Sequence, residues 1–288
     1  MKILITGSNG QLGTELIQRY LDRPLDQVFA GDLPDLDITS EESVTQVFSN
    51  IAPDVVINCA AWTAVDAAEE HERDAYKVNA EGPAVLAAQC ARIGARMIHV
   101  STDYVFAGDA SEPYQEDAHA APVTAYGRTK LAGEKYVQEL LPDNHVIIRT
   151  AWLYSPHGKN FVKTIIRAQG ERETLSVVND QVGQPTSASD LADQIVDVID
   201  NYSGTGIFHG TNSGVTSWFE FARAIMEEIG EDPERILPTD SSSYPQLAPR
   251  PAYSVLGHDG WERIGMQPMR DWRVALHEAI PEITASSV

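Results

Sequence analysis

Tyr126 and Lys130 stand four residues apart in Tyr126-Gly127-Arg128-Thr129-Lys130, a spacing that stacks a phenol and an ammonium on one helix face. Such a pair can handle a proton. A phenol has a reference pKa of about 10, and a nearby cation stabilises its phenolate; a thousandfold gain in acidity takes about 4 kcal/mol. The spacing therefore predicts that Lys130 lowers the Tyr126 pKa. Two helix residues often match this pattern by chance, so its company matters. Ser101-Thr102-Asp103-Tyr104 places a hydroxyl, Thr102, after a strand-like run, where it can hydrogen-bond a substrate carbonyl and the tyrosine oxygen. Thr102 also reads as a helix or turn cap.

A third constellation binds rather than reacts. Gly7-Ser8-Asn9-Gly10-Gln11-Leu12-Gly13 follows the first apolar run and opens a helix bearing Leu12, Leu16, Ile17 and Tyr20. Glycines allow close backbone approach, and a helix N-terminus offers free N–H groups and a positive dipole end, so Gly7, Asn9, Gly10, Gln11, Leu12 and Gly13 suit a diphosphate. Nineteen residues beyond Gly13, Asp32 can accept from an adenosine ribose, which favours NADH over NADPH. Asp32 also suits a turn, with Asp37 and Ile38 near enough to meet an adenine.

These groups need a scaffold. Runs at Lys2 to Thr6, Val28 to Gly31, Asp54 to Asn58, Met97 to Ser101 and His145 to Arg149 are short and rich in Val and Ile, with helical patterns such as Glu81 to Ile93 between them. That alternation predicts an α/β fold, a Rossmann-type doubly wound parallel sheet that binds ligands at its carboxyl edge. Beyond Thr150 the chain is turn-rich, as in Pro238 to Pro251, and helices are expected at Ser189 to Asn201 and Ser217 to Ile229, where Ser217 and Glu220 have capping-box spacing. The expected division is a dinucleotide-binding domain over 1–150, with a returning segment near 186–210, and a smaller C-terminal substrate-binding domain over 151–185 and 211–288.

Composition bounds the rest. Of 288 residues, 43% are hydrophobic and 22% charged, as in an ordinary globular chain. The net charge of −21 argues against nucleic acid as a partner, while local Arg, Lys and N–H groups can still take a small anion. Cys59 and Cys90 form no metal or disulfide pattern, and neither a secretion signal nor a long apolar stretch is evident. The expectation is a cytoplasmic protein without membrane contact.

The glycine loop, Asn58-Cys59-Ala60-Ala61, Ser101 to Phe106 and Tyr126 to Lys130 together resemble extended short-chain dehydrogenase/reductases. Ala61 to Glu69, Arg149 to Tyr154, Lys159 to Thr164 and Val178 to Thr186 resemble the dTDP-4-dehydrorhamnose reductase family, so the likeness spans nearly the whole chain. It implies reduction of the C4 ketone of dTDP-4-dehydro-L-rhamnose by NADPH or NADH. It also implies catalytic roles for Thr102, Tyr126 and Lys130, with Ala60, Ala61 and Thr63 completing the cofactor site. Asp103, Tyr104, Trp152 and Arg250 become substrate residues, Arg250 at the diphosphate. Tyr104 and Trp152 also suit core aromatics, though less well, as Arg250 does a surface ion pair, and Asn79 suits a structural role. Some family members form metal-bridged dimers; with Ser187-Ala188-Ser189 here, no metal is expected, and the chain is expected to be a monomer or weak homodimer. A nucleotide-sugar epimerase, and a non-catalytic subunit resembling that of methionine adenosyltransferase, remain the alternatives. A dehydratase is disfavoured because Tyr104 stands where a second carboxyl group is needed.

Overall fold

The computed structural model describes residues 1–21 and 23–286. Its first half alternates β1 (Lys2–Thr6), α1 (Gln11–Leu21), β2 (Gln27–Gly31), α2 (Glu41–Ile51), β3 (Val55–Asn58), α3 (Val65–Glu70), α4 (Glu72–Tyr76), α5 (Gly82–Ile93), β4 (Arg96–Thr102), α6 (Ala125–Leu140) and β5 (His145–Thr150). Successive strand side chains point to opposite faces, so both faces must be covered. Ile3, Ile5, Ile57, Ile98 and Ile148 pack with Leu12 and Leu16 of α1 on one side. Leu4, Val56, Met97 and Ile147 pack with Phe48 of α2, Leu86 of α5 and Val137 of α6 on the other.

The second half holds β6 (Leu153–Tyr154), α7 (Phe161–Glu171), β7 (Leu175–Val178), β8 (Val182–Gly183), β9 (Thr186–Ser187), α8 (Ala188–Asn201), β10 (Gly206–His209), β11 (Thr216–Ser217), α9 (Trp218–Glu228), β12 (Ile236–Thr239), α10 (Asp259–Arg263) and α11 (Trp272–Ala285). The capping expectation at α9 is met: Ser217 Oγ accepts from Glu220 N at 3.1 Å. Helix α8 returns to the first core through Leu191, Ile195 and Val198, and α10 brings Trp261 there. A separate apolar cluster gathers Val162 and Ile165 of α7, Phe221 and Ile225 of α9, Ile236 of β12, and Leu276 and Ile283 of α11.

Among the described residues, six strands form one sheet in the order β10-β5-β4-β3-β1-β2, every pair parallel. The chain winds one way from β1 to β2 and the other way from β3 onward, so the order reverses between β1 and β3. A crevice opens at such a reversal, outside the carboxyl ends of the strands.

Candidate active site

The crevice is where the sequence motifs meet. Gly7 follows β1 with a φ of +65°, and a Cβ there would fall 2.6 Å from Ala60 N after β3, so the two loops can touch only through a glycine. Around them lies a cavity of about 780 Å³. Its lining includes Gly7, Gly10, Gln11, Leu12, Gly13, Asp32, Asp37, Ile38, Ala60, Ala61, Thr63, Thr102, Asp103, Tyr104, Tyr126, Lys130 and Trp152. Asn9 is not in that lining; its N–H donates to Asp32 Oδ2 at 2.9 Å, and Leu33 N donates to Asp32 Oδ1 at 2.8 Å. Asp32 thus braces the glycine loop with the carboxylate expected to meet a ribose. The Gln11 side chain accepts from Asn160 Nδ2 at 3.0 Å and Ser155 Oγ at 3.3 Å, tying α1 to the second half.

Helix α6 presents Tyr126 and Lys130 to this cavity. Its approach depends on Gly127, where a Cβ would sit 2.1 Å from Tyr104 O. Thr124 Oγ1 caps the helix by accepting from Gly127 N at 3.0 Å, and Glu69 of α3 accepts from Ala125 N at 2.8 Å. Asn79 lies in a π-helical turn and is fully buried. Its amide accepts from Trp62 N at 2.8 Å and donates to Thr129 Oγ1 at 3.1 Å, so this side chain joins the loop after β3 to α6.

The expected electrostatics of the pair are not what forms. Burial pushes the Tyr126 phenol up to about 12, and the neighbouring Thr102 side chain offsets only part of that rise. Lys130 donates to Val100 O at 2.6 Å, and its burial brings the ammonium down to about 8, with Glu134 opposing. Desolvation is the largest influence on both groups, and it raises the phenol where the spacing alone predicted a lowering. The Thr102 hydroxyl donates its single proton to Asp103 Oδ1 at 2.9 Å, so donating to a carbonyl requires the hydroxyl to rotate. The Asp103 carboxyl is raised to about 6 by burial, with the neighbouring Ser254 and Thr102 side chains opposing, and its Oδ2 is buried without a hydrogen-bond partner.

A second cavity of about 540 Å³ adjoins the first, and Asp103, Tyr104 and Trp152 line both. Tyr104 meets Tyr126 edge to face at 5.5 Å. Trp152 has a φ of +47° and stacks on Trp218 at 3.6 Å, the pair forming one wall beside Phe161. Arg250 lines this second cavity and is held by Asp66, with Nη2 to Oδ2 at 2.6 Å and Nη1 to Oδ1 at 3.1 Å. Both sequence readings of Arg250 meet here, since it is an ion-pair partner and a cavity residue at once. Trp218, Gln181, Tyr244 and Ser254, not singled out in the sequence, line this cavity too. Of these only Gln181 lies in a family-like stretch, Val178 to Thr186, and loop polar residues such as Ser254 carry no pattern of their own. Among the described residues no group of three or more His, Cys, Asp or Glu side chains could hold a metal ion, and no helix is long and apolar enough to cross a membrane.

Comparison with known proteins agrees with this architecture. The model of the RmlD substrate binding domain family matches residues 1–285. A Streptomyces niveus protein named dTDP-4-keto-6-deoxy-D-glucose reductase is 45% identical over 98% of this chain and 97% of its own length. A Streptomyces griseus dTDP-4-dehydrorhamnose reductase is 45% identical over 97% of this chain and 93% of its own. The structure of a Bacillus anthracis dTDP-4-dehydrorhamnose reductase in complex with NADP has a TM-score of 0.94 and 40% identity, covering 98% of this chain and 99% of that one. With its glycine loop, Thr102, Tyr126 and Lys130 in place, the chain belongs to the dTDP-4-dehydrorhamnose reductase family, within the extended short-chain dehydrogenase/reductases.

Proposed function

We propose that this chain reduces the C4 ketone of dTDP-4-dehydro-L-rhamnose to dTDP-L-rhamnose, with NADPH or NADH as reductant. One observation carries the reading. Asp103, Tyr104 and Trp152 line both cavities, so the hydroxyls of Thr102 and Tyr126 stand where a dinucleotide site would meet a sugar-nucleotide site. The first cavity fits a dinucleotide, because Gly7, Gly10 and Gly13 line it together with Gln11 and Leu12 of the first turn of α1, whose N-terminus opens there. The glycine-loop amides would hold the diphosphate, Lys130 the nicotinamide ribose, and Asp32, Asp37 and Ile38 the adenosine end. The bound reduced nicotinamide supplies the hydride.

The residues of the chain supply the rest. Tyr126, kept protonated by burial, donates its hydroxyl proton to the C4 oxygen as charge develops there. Thr102 orients the carbonyl from beside it once its hydroxyl turns away from Asp103, which holds the proton in the resting site. Arg250 takes the substrate diphosphate, while Tyr104 and Trp152 wall the sugar. We further propose that residues 1–150 and 186–210 form the dinucleotide-binding domain and 151–185 with 211–288 the substrate-binding domain. We also propose a cytoplasmic location, a reading supported by two cysteines that form no disulfide, and a monomer or weak homodimer.

The test is stoichiometry with purified protein. One nicotinamide should be oxidised for each dTDP-4-dehydro-L-rhamnose reduced, read at the reduced-nicotinamide absorbance. Turnover without cofactor consumption would sink the reductase reading in favour of an epimerase. Faster turnover of dTDP-4-keto-6-deoxy-D-glucose, the sugar named for the Streptomyces niveus relative, would replace the substrate assignment.

A further inference from the structure

Asp66 lies on α3, next to Val65 of the same helix and close to Thr63, both of which line the first cavity, yet its carboxylate reaches a partner 184 residues away. Both oxygens are used. Oδ2 accepts from Arg250 Nη2 at 2.6 Å; Oδ1 accepts from Arg250 Nη1 and from Ala248 N, each at 3.1 Å. Arg250 Nη1 also donates to Ala248 O at 2.9 Å, which closes the turn on itself. The Arg250 side chain keeps 18% of its surface accessible and lines the second cavity.

A guanidinium has five N–H donors, arranged so that two separate edges can each grip an oxyanion bidentately. Asp66 and Ala248 engage the edge formed by Nη1 and Nη2, using three of those donors. The edge formed by Nε–H and the second Nη2–H is left. We infer that Asp66 is a positioning residue for substrate recognition: it fixes Arg250 by one edge and leaves the other for the diphosphate of the sugar nucleotide. This rests on the proposed reductase function and on Arg250 as the diphosphate ligand. Without its clamp the arginine, on a turn-rich loop, must be ordered by the substrate itself, and affinity falls by the cost of that ordering.

The same helix also serves the catalytic side, since Glu69, three residues on, holds Ala125 at the start of α6. Asp66 and Glu69 thus refer the diphosphate grip and the proton donor to one short element. Their losses should separate kinetically, Asp66 acting on binding and Glu69 on turnover.

The experiment measures steady-state kinetics on the dTDP-4-keto sugar for wild type, Asp66→Asn, Arg250→Ala and the double variant, with dTDP and thymidine as competitive inhibitors. Asp66→Asn keeps the acceptor for Ala248 N but turns an amide towards Nη2. It should raise KM for the sugar nucleotide and Ki for dTDP about tenfold while kcat moves by less than about threefold. The thymidine Ki should stay unchanged, because thymidine carries no diphosphate. In the Arg250→Ala background the Asp66 effect should vanish. An Asp66→Asn variant whose dTDP Ki is unchanged or tighter, while Arg250→Ala weakens dTDP, overturns the positioning role. Equal weakening of dTDP and thymidine overturns it as well, marking a general packing defect. If Arg250→Ala leaves dTDP binding intact, the diphosphate assignment itself fails, and an inactive wild type defeats the functional reading instead.

Discussion

At the scale of single residues, Tyr126 stays protonated across neutral pH because burial raises it to about 12, and that suits an acid delivering its proton to an alkoxide-like oxygen. Removing only the hydroxyl should therefore strike turnover rather than binding. Tyr126→Phe is expected to lower kcat by about 10²- to 10⁴-fold with dinucleotide affinity, measured by titration, almost unchanged. Retention of more than about a tenth of kcat would make Tyr126 a packing residue. Lys130 titrates in reach of experiment. Its ammonium is favoured below about 8 and is lost as pH rises through that value, the sign set by desolvation of a cation. The cofactor KM should accordingly rise above a pH of about 8, and Lys130→Met should remove this limb while weakening the cofactor. A limb that persists in Lys130→Met belongs to another group, and not to Tyr126, whose proton leaves far higher.

Helix α6 is the element on which the chemistry turns, and its placement rests on two small features. Gly127 lets the helix approach the Tyr104 carbonyl, and buried Asn79 spans from Trp62 to Thr129. Gly127→Ala would set a Cβ 2.1 Å from Tyr104 O, so the helix must back away and carry the Tyr126 hydroxyl with it. Misplacement of a reacting group by an ångström can cost about 10²-fold, and a kcat loss of that order with a lowered Tm is expected. A variant with wild-type kcat would mean that the close approach is not what positions the phenol. The glycine in Tyr126-Gly127-Arg128-Thr129-Lys130 was visible as a letter. Its reason was not, because the atom it makes room for lies 23 positions earlier on another loop.

Across the whole molecule, a buried ionic network stands directly behind the site. Arg149 of β5 donates through Nε and Nη2 to Glu134 of α6 at 2.9 and 2.7 Å, and Ser101, next to Thr102, donates to the same carboxylate. Arg149 Nη1 reaches Glu116 O at 3.3 Å, and the Glu116 carboxylate takes Gly260 N and Arg263 of α10. The network thus joins the sheet, the catalytic helix and a C-terminal helix. Removing one partner leaves a buried charge uncompensated, and Arg149→Met should lower unfolding stability by about 3–5 kcal/mol in urea melts. Adding Glu134→Gln should recover part of that loss. If it recovers nothing, the cost lies in packing rather than in the stranded carboxylate.

The chain's local order is written in its sequence. Buried parallel strands must be continuous apolar runs, so β1, β3, β4 and β5 read directly from their aliphatic residues, and the half-exposed edge strand β2 from Val28-Phe29-Ala30. The short strand β10, with Ile207 and Phe208 as its apolar residues, did not read as one. The glycine loop was legible for a similar reason, because few other residues accept a φ of +65° at Gly7. Ser217 with Glu220 likewise announced its helix, since a cap is a contact between near neighbours. What composition and spacing could not settle were properties set by distant atoms. Desolvation is the largest influence on the Tyr126 and Lys130 pKa values, and desolvation depends on everything packed around a group. The Trp152–Trp218 stack and the Asp66–Arg250 clamp join residues 66 and 184 positions apart. Only the folded chain brings such pairs within the few ångströms over which stacking and hydrogen bonding act.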